Sequence, residues 1–328
     1  MTVYKNIKGD PIETVATDPS NPIEGDIWYN TTIGAIKGLG FLGAAWASGG
    51  NTNTGLGTTA GCGIQTAALL FSGADNKNNS EAYNGTSWTA TPTLNTGRYA
   101  GGEATNASQT AALLFQGLTE PPSTNNKADV EEFNGTSWSE QNNVPVAARQ
   151  VAGAGTQTAA VSIGGYSTTY ISESYEYDGT NWAAGGNMNT ARERMAATGL
   201  QTTTVAMGGN NPSPYLANVE EYDGSSWTNG TALPVATKHA SASGIQTDAL
   251  MFAGNVSPNT VVATTLGYDG TTWTTRPSMA TARQAGAGAG SSSSAIMMSG
   301  AAQNGSSVTN TEEFTGAGTE TKTFTTST

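Results

Sequence analysis

The stretch EYDGTNWAAGGNMNTAR, Glu176 to Arg192, decides how this chain is read. It holds a Tyr, an Asp-Gly turn and a Trp, then a soft Gly/Asn/Thr run that ends in Arg. Taken alone it is a loop. Its core, Tyr/Phe-(Asn/Asp)-Gly-x-x-Trp, returns as YNGTSW at Tyr83, FNGTSW at Phe133, YDGSSW at Tyr222 and YDGTTW at Tyr268, with a worn copy, EEFTGAG, at Glu312. A second signature alternates with it: QTAALLFSG at Gln65, QTAALLFQG at Gln109, QTAAVSIGG at Gln157, QTTTVAMGG at Gln201 and QTDALMFAG at Gln246. Its worn form, SSAIMMSG, ends at Gly300. Six copies of each, about 45 residues apart, mark a repeat architecture.

Each copy parses into four short strands. Strand a follows the Arg, as in RYAGGEAT at Arg98 and RQAGAGAG at Arg283. Strand b is the apolar QTAALLF run, too short for a typical helix and continuous enough to be buried on both faces. Strand c carries the Glu-Tyr pair and strand d the Trp. Asn-Gly or Asp-Gly between c and d predicts a tight type I′ hairpin. Strand a is built from residues such as Ala152-Gly153-Ala154-Gly155, poor strand formers by propensity. They make sense where sheets converge on an axis and larger side chains do not fit. The expected fold is therefore all-β, a six-bladed propeller of four-stranded blades.

The order Arg on a, Gly-Gly ending b (Gly164-Gly165, Gly208-Gly209), Glu-Tyr-Asp on c and Trp on d resembles the kelch-like repeats of galactose-oxidase-type propellers, over roughly residues 46–316. The low-charge wording GTSW, NTAR and GTQTAA, with DPSNPIEGDIWYNTTIGAIKG near the N-terminus, is similar to structural proteins of tailed bacteriophages, those of marine cyanobacteria above all. The first resemblance implies the fold, while kelch propellers serve many roles. The second implies a virion structural or accessory protein, a tail, fibre or decoration component assembled in the host cytoplasm. Residues 1–40 would join it to other virion proteins and the propeller would project outward, where it could meet a host-surface glycan; the alternative reading is a carbohydrate-binding, lectin-like propeller module. Self-association in the particle is compatible with this reading.

Residues 1–40 lie outside the repeat, with a hairpin at Ile27-Trp28-Tyr29 and Ala35-Ile36. Residues 41–316 form the propeller, and the Thr-rich tail, 317–328, is an extra edge strand or docking arm. No c strand precedes Trp46 and no Trp follows Phe314, yet Trp46-Ala-Ser-Gly-Gly-Asn matches Trp182-Ala-Ala-Gly-Gly-Asn apart from Ser48. The segment Phe41–Trp46 is thus expected to supply the last blade's missing outer strand, with the tail as its rival.

Composition narrows the chemistry. Net charge is −12 with 12% charged residues, which argues against a basic nucleic-acid face. One His, His239, and one Cys, Cys62, rule out an intramolecular disulfide, a multi-His centre and the copper site with two Tyr, two His and a Tyr–Cys crosslink that the oxidase resemblance would imply. The opening MTVYKNIKGD lacks the apolar core of a signal peptide, no apolar run reaches 18 residues, and a soluble protein made in a reducing cytosol is expected. No cofactor, metal or membrane insertion is expected.

No enzyme activity is expected either. Asp178-Gly-Thr-Asn-Trp182 resembles a sialidase Asp-box, but with one residue fewer before the Trp, and Asn84 and Asn134 replace the Asp. A glycosidase needs two carboxylates aimed at one bond. Here Glu81, Glu132, Glu176, Glu221 and Glu313 recur beside the strand c aromatic, which reads as structural pairing with the strand a Arg. The repeated Trp residues read as blade packing rather than sugar stacking. Loops between b and c share no wording, from Ala74–Ser80 and Leu118–Ala128 with Pro121-Pro122 onward, and recognition concentrates on such loops. The same face carries Arg98, Arg149, Arg192, Lys238 and Arg283 at the start of strand a, with Leu56 in the first-blade place. The ligand site expected is this basic ring with Tyr166, Tyr170 and Tyr215, suited to a carboxylated or sulfated glycan.

Overall fold

A computed structural model of the chain describes residues 12–22, 26–75, 77–119, 125–212 and 215–324. Pro121-Pro122 and residues 1–11 of the N-terminal arm lie outside them. Every regular element among the described residues is a β-strand. The chain divides into two compact units, Met1–Ala44 with Gly316–Thr328, and Ala45–Thr315.

The larger unit is a six-bladed β-propeller of four-stranded antiparallel sheets. Blade 3 shows the plan, with Ala152–Thr156 as a, Ala159–Tyr166 as b, Tyr170–Tyr177 as c and Trp182–Ala184 as d. Blades 1 (60–90), 2 (102–141), 4 (196–229) and 5 (241–276) repeat it. In blade 6, Ala287–Gly290, Ser294–Met298 and Thr311–Thr315 are joined by Ala45–Ser48 as strand d. The ring thus closes through an N-terminal strand, with Trp46 opposite Phe314. That strand begins at Ala45 rather than at Phe41, which belongs to Ala35–Leu42 of the smaller unit. The tail does not compete for the blade edge: Gly318–Phe324 pairs with Ala35–Leu42. In the smaller unit the expected hairpin forms between Ile27–Asn30 and Ala35–Leu42, with Glu13–Val15 parallel to its first strand.

Side-chain size follows the radial taper. Ala154 and Cys62 on inner strands are fully buried, as are Leu69, Leu70 and Phe71 on strand b of blade 1. The outer Trp packs between blades, as expected. Trp138 of blade 2 meets Phe71 of blade 1 at 5.1 Å between ring centroids, and Trp182 meets Phe115 at the same distance. Within a blade it stacks on the strand c Tyr, as Trp227 does on Tyr222 at 4.9 Å.

The repeated polar letters find their partners at the same interfaces. Gln157 Nε2 donates to the carbonyls of Ala112 and Phe133 in the preceding blade, at 3.0 and 2.7 Å. Gln65, Gln109, Gln201 and Gln246 make the equivalent pair of bonds. In blade 6, Ser292 stands in that place and donates to Asp248 instead. Gln157→Ala should remove both interblade bonds, leaving the Ala112 carbonyl only the Phe133 N–H and taking the Gln donor from the Phe133 carbonyl, at a cost of roughly 1–3 kcal/mol. At roughly 2–4 °C per kcal/mol, a melting scan should show a fall of about 5 °C, and an unchanged midpoint would contradict this role for the Gln.

The c–d turn differs from the type I′ hairpin expected. Four residues separate the Tyr177–Trp182 pair, and Gly179 has φ +89° while Asp178 is absent from the positive-φ residues. Asp178 Oδ1 instead accepts from the backbone of Thr180 and Asn181, at 2.8 and 2.7 Å. Asn84 makes the same two contacts, so either residue serves. These bonds hold the Asp178 carboxyl below its ordinary range and that of Asp223 at about 2. The Asp-box likeness is accordingly a structural turn.

Candidate functional site

Antiparallel blades put the b–c and d–a connections on one face of the propeller and the a–b and c–d turns on the other. At the centre of the first face, one residue per blade adopts left-handed backbone: Thr58, Ala100, Gln150, Arg194, His239 and Ala285, with φ from 52° to 61°. Non-glycine residues rarely adopt it. Here each donates its N–H to the carbonyl of its counterpart in the preceding blade: Ala100 to Thr58, Gln150 to Ala100, Arg194 to Gln150, His239 to Arg194, Ala285 to His239 and Thr58 to Ala285. The six bonds, 2.7 to 3.3 Å long, close a circle around the axis. They offset the backbone strain and set a rigid rim. These six residue types share no pattern, so the rim leaves no signal in the sequence.

The rim opens on an axial cavity of about 90 Å³ lined by Thr58, Thr59, Glu103, Gln150, Arg194 and His239 among others. Such a volume has room for several waters or a small ligand group. Toward the opposite face the axis is crossed by Asn106 from the long a–b connection of blade 2. Its backbone N–H donates to Gly155 O at 2.9 Å, and its Nδ2 donates to Gly244 O at 3.2 Å. Burial, followed by the nearby cations Arg194 and Lys238, lowers His239 to about 3, so the ring is neutral at physiological pH. Arg194 Nε lies 3.2 Å from Glu193 Oε1.

The ring of five cations expected around this mouth does not form. Arg98, Arg192 and Arg283 have no exposed surface and are paired with Glu131, Glu220 and Glu312. Arg192 also donates to the carbonyls of Gly208 and Thr190, while Glu220 accepts from the backbone of Asn189 and Thr190. Thus the phrase NTAR is a loop clamped onto strand c. Arg149 and Lys238 stand one residue later than these arginines, after Ala148 and Thr237, and so escape burial. Strand c likewise has two Glu positions rather than one. Glu81, Glu131, Glu220 and Glu312, two residues before the aromatic, face inward and hold the d–a loop. Glu132, Glu176, Glu221 and Glu313, one residue before it, accept the Tyr hydroxyl of the next blade, as Tyr222 donates to Glu176 at 2.6 Å.

The remaining expected residues do gather. Arg149 lies 4.6 Å above the Tyr166 ring, and Tyr166 meets Tyr170 edge to face at 5.2 Å. Burial, then Glu193 close by, raises the Tyr170 hydroxyl, which places this cluster beside Glu193 and Arg194 at the rim. Between blades 4 and 5, Lys238 Nζ lies 4.3 Å from the centre of the Tyr215 ring. All five side chains are partly exposed. The site is therefore two cation-topped aromatic platforms flanking an axial mouth. Arg194, His239 and Glu103 were missed by sequence reasoning, although Glu103 does break the strand a pattern of small residues.

No family model matches the sequence, and no curated protein matches it. Among solved structures, 352 chains match. The chain is similar to YjhT. The two share a TM-score of 0.70 at 12% identity, over 82% of this chain and 99% of the YjhT chain. At that identity the likeness to YjhT establishes the propeller fold alone.

Proposed function

We propose that this chain is a non-enzymatic structural or accessory protein of a tailed-bacteriophage virion, whose b–c face binds a carbohydrate of the host surface. The observation that carries the recognition reading is the pair of platforms, Arg149 with Tyr166 and Tyr170, and Lys238 with Tyr215. A half-exposed Tyr ring offers an apolar surface to sugar C–H groups and a hydroxyl to their oxygens. The neighbouring cations favour a carboxylated or sulfated sugar. The repeated glutamates are engaged by Arg, Tyr and backbone groups, which supports a scaffold in preference to a hydrolase. The virion reading rests on the likeness in wording, and the smaller unit is compatible with it. Tyr29, Ile36 and Phe324 pair across three strands and are exposed, an apolar row suited to a protein partner.

A glycan array at low and moderate salt tests recognition. Wild type should bind acidic glycans at low salt and lose signal as exposed charges are screened over about 10 Å at 0.1 M. Arg149→Ala with Lys238→Ala should abolish the signal at unchanged melting temperature. Variants at Arg192 or Arg283 do not serve here, because those residues hold the fold. Silence of the wild type on the array at both salts would sink the recognition role. The virion role is tested separately: a chain lacking residues 2–36 should fail to enter particles, and its normal incorporation would contradict attachment through that unit.

A further inference from the structure

Two buried side-chain atoms of residues lining the axial cavity have no hydrogen-bond partner, Arg194 Nε and His239 Nε2. The surroundings of the His239 ring fix which nitrogen carries its proton. Nδ1 faces Gln284 Oε1 at 3.5 Å, and that oxygen already accepts from Asn255 Nδ2 at 3.0 Å. An amide oxygen has no proton to give, so Nδ1 is the N–H and Nε2 is a bare acceptor. Arg194 Nε–H lies 3.2 Å from Glu193 Oε1 in an ion pair, yet makes no hydrogen bond, and is a donor without an acceptor. The two residues are neighbours on the rim, joined by the bond from the His239 N–H to the Arg194 carbonyl.

The hydroxyls of the lining add acceptors. Thr59 donates to the carbonyls of Phe71 and Ser72, Thr105 to Asn106 Oδ1, and Ser241 to the Gly286 carbonyl. Each has only lone pairs left to offer a ligand. Glu103, which stands where the other blades carry Gly61, Gly153, Ala197, Ala242 or Gly288, adds a carboxyl that accepts from its own N–H. Thr58 and Gln150 both donate and accept. An acid group brings acceptors alone and would leave this set unanswered, whereas a hydroxyl gives one proton and takes another. We propose that the axial cavity receives an uncharged, hydroxyl-bearing end of a carbohydrate, a hydroxymethyl or vicinal diol, which donates to His239 Nε2 and accepts from Arg194 Nε–H. A space of about 90 Å³ admits such a group. This rests on the carbohydrate reading above and divides its labour: the acid group stays outside, with Arg149 and Lys238, and the cavity selects the hydroxyl end.

His239 is the only histidine of the chain, so its ring nitrogens can be read directly in a ¹⁵N NMR spectrum of the full-length protein. The free protein should show Nδ1 protonated and Nε2 bare. Glycerol, which supplies a vicinal diol, should shift Nε2 saturably in the direction of an accepted hydrogen bond. Dimethyl sulfoxide, a small probe that only accepts, should leave it in place. Arg194→Ala copies Ala100 and Ala285 at the same left-handed rim position, and the rim bonds are made by backbone. It should raise the glycerol concentration needed for half the shift by about fivefold. A proton on Nε2 in the free protein, no shift with glycerol, equal shifts with both probes, or a glycerol response unaltered by Arg194→Ala would each overturn the proposal. The glycan array reads the platforms and this spectrum reads the cavity. A binding array with an unmoved His239 therefore removes the cavity alone, while a silent array with a shifted His239 removes the platforms and leaves a polyol site.

Discussion

Arg192→Ala is expected to destabilise the propeller by roughly 3–5 kcal/mol, because it leaves the Glu220 carboxylate buried without its partner. Three carbonyls, those of Gly208, Thr190 and Ala206, would lose a donor as well. For a domain of this size the midpoint should fall by roughly 10–15 °C. Glu220→Ala should cost about as much, since it strands the guanidinium and frees the Asn189–Thr190 backbone. Blades 3 and 5 have already dispensed with the pair, carrying Ala148 with Tyr175 and Thr237 with Leu266 in the same two places. The double variant Arg192→Thr, Glu220→Leu, copied from blade 5, should therefore be milder than either single change. Thermal scans of the three variants decide it. A double variant worse than the sum of the singles would mean that the clamp, rather than charge pairing, dominates.

Loss of the strand that closes the ring should have the next largest effect. Trp46 packs edge-on against Phe252 at 5.1 Å, lies 5.3 Å from Phe314, and donates to Thr265 Oγ1 at 3.0 Å, so it ties blade 6 to blade 5. Trp46→Ala should cost about 3 kcal/mol. A chain lacking residues 1–48 should lose more, because strand Thr311–Thr315 becomes a free edge open to other chains. Scattering should report association of the truncated chain, and circular dichroism a lower midpoint. A monomeric truncated chain that melts like the full one would show that blade 6 is stable with three strands.

The repeat made the blades legible because propeller geometry acts on every copy alike. A small residue near the axis, a Gln reaching back to the preceding blade and a Trp on the outer strand each recur for one physical reason, and recurrence is visible without coordinates. Closure was legible for the same reason, since Trp46 repeats the local wording of Trp182. The site was less so. Arg98, Arg149, Arg192, Lys238 and Arg283 look alike by position, yet a shift of one residue decides between burial against a Glu and exposure on a Tyr ring. No local wording reports that shift, because it depends on where the left-handed rim residue falls. The rim itself is a backbone feature indifferent to side chain. Glu103 carried a signal of the opposite kind, a departure from the repeat, and such departures are where a repeated scaffold acquires chemistry.

We propose that recognition belongs to the b–c face. An equilibrium titration with the acidic oligosaccharide best bound on the array tests it most directly, comparing Tyr166→Ala on that face with Thr136→Ala in a c–d turn on the other. A loss of at least about tenfold, 1.4 kcal/mol, is expected for Tyr166→Ala and none for Thr136→Ala. Equal affinity for both variants and the wild type would contradict it.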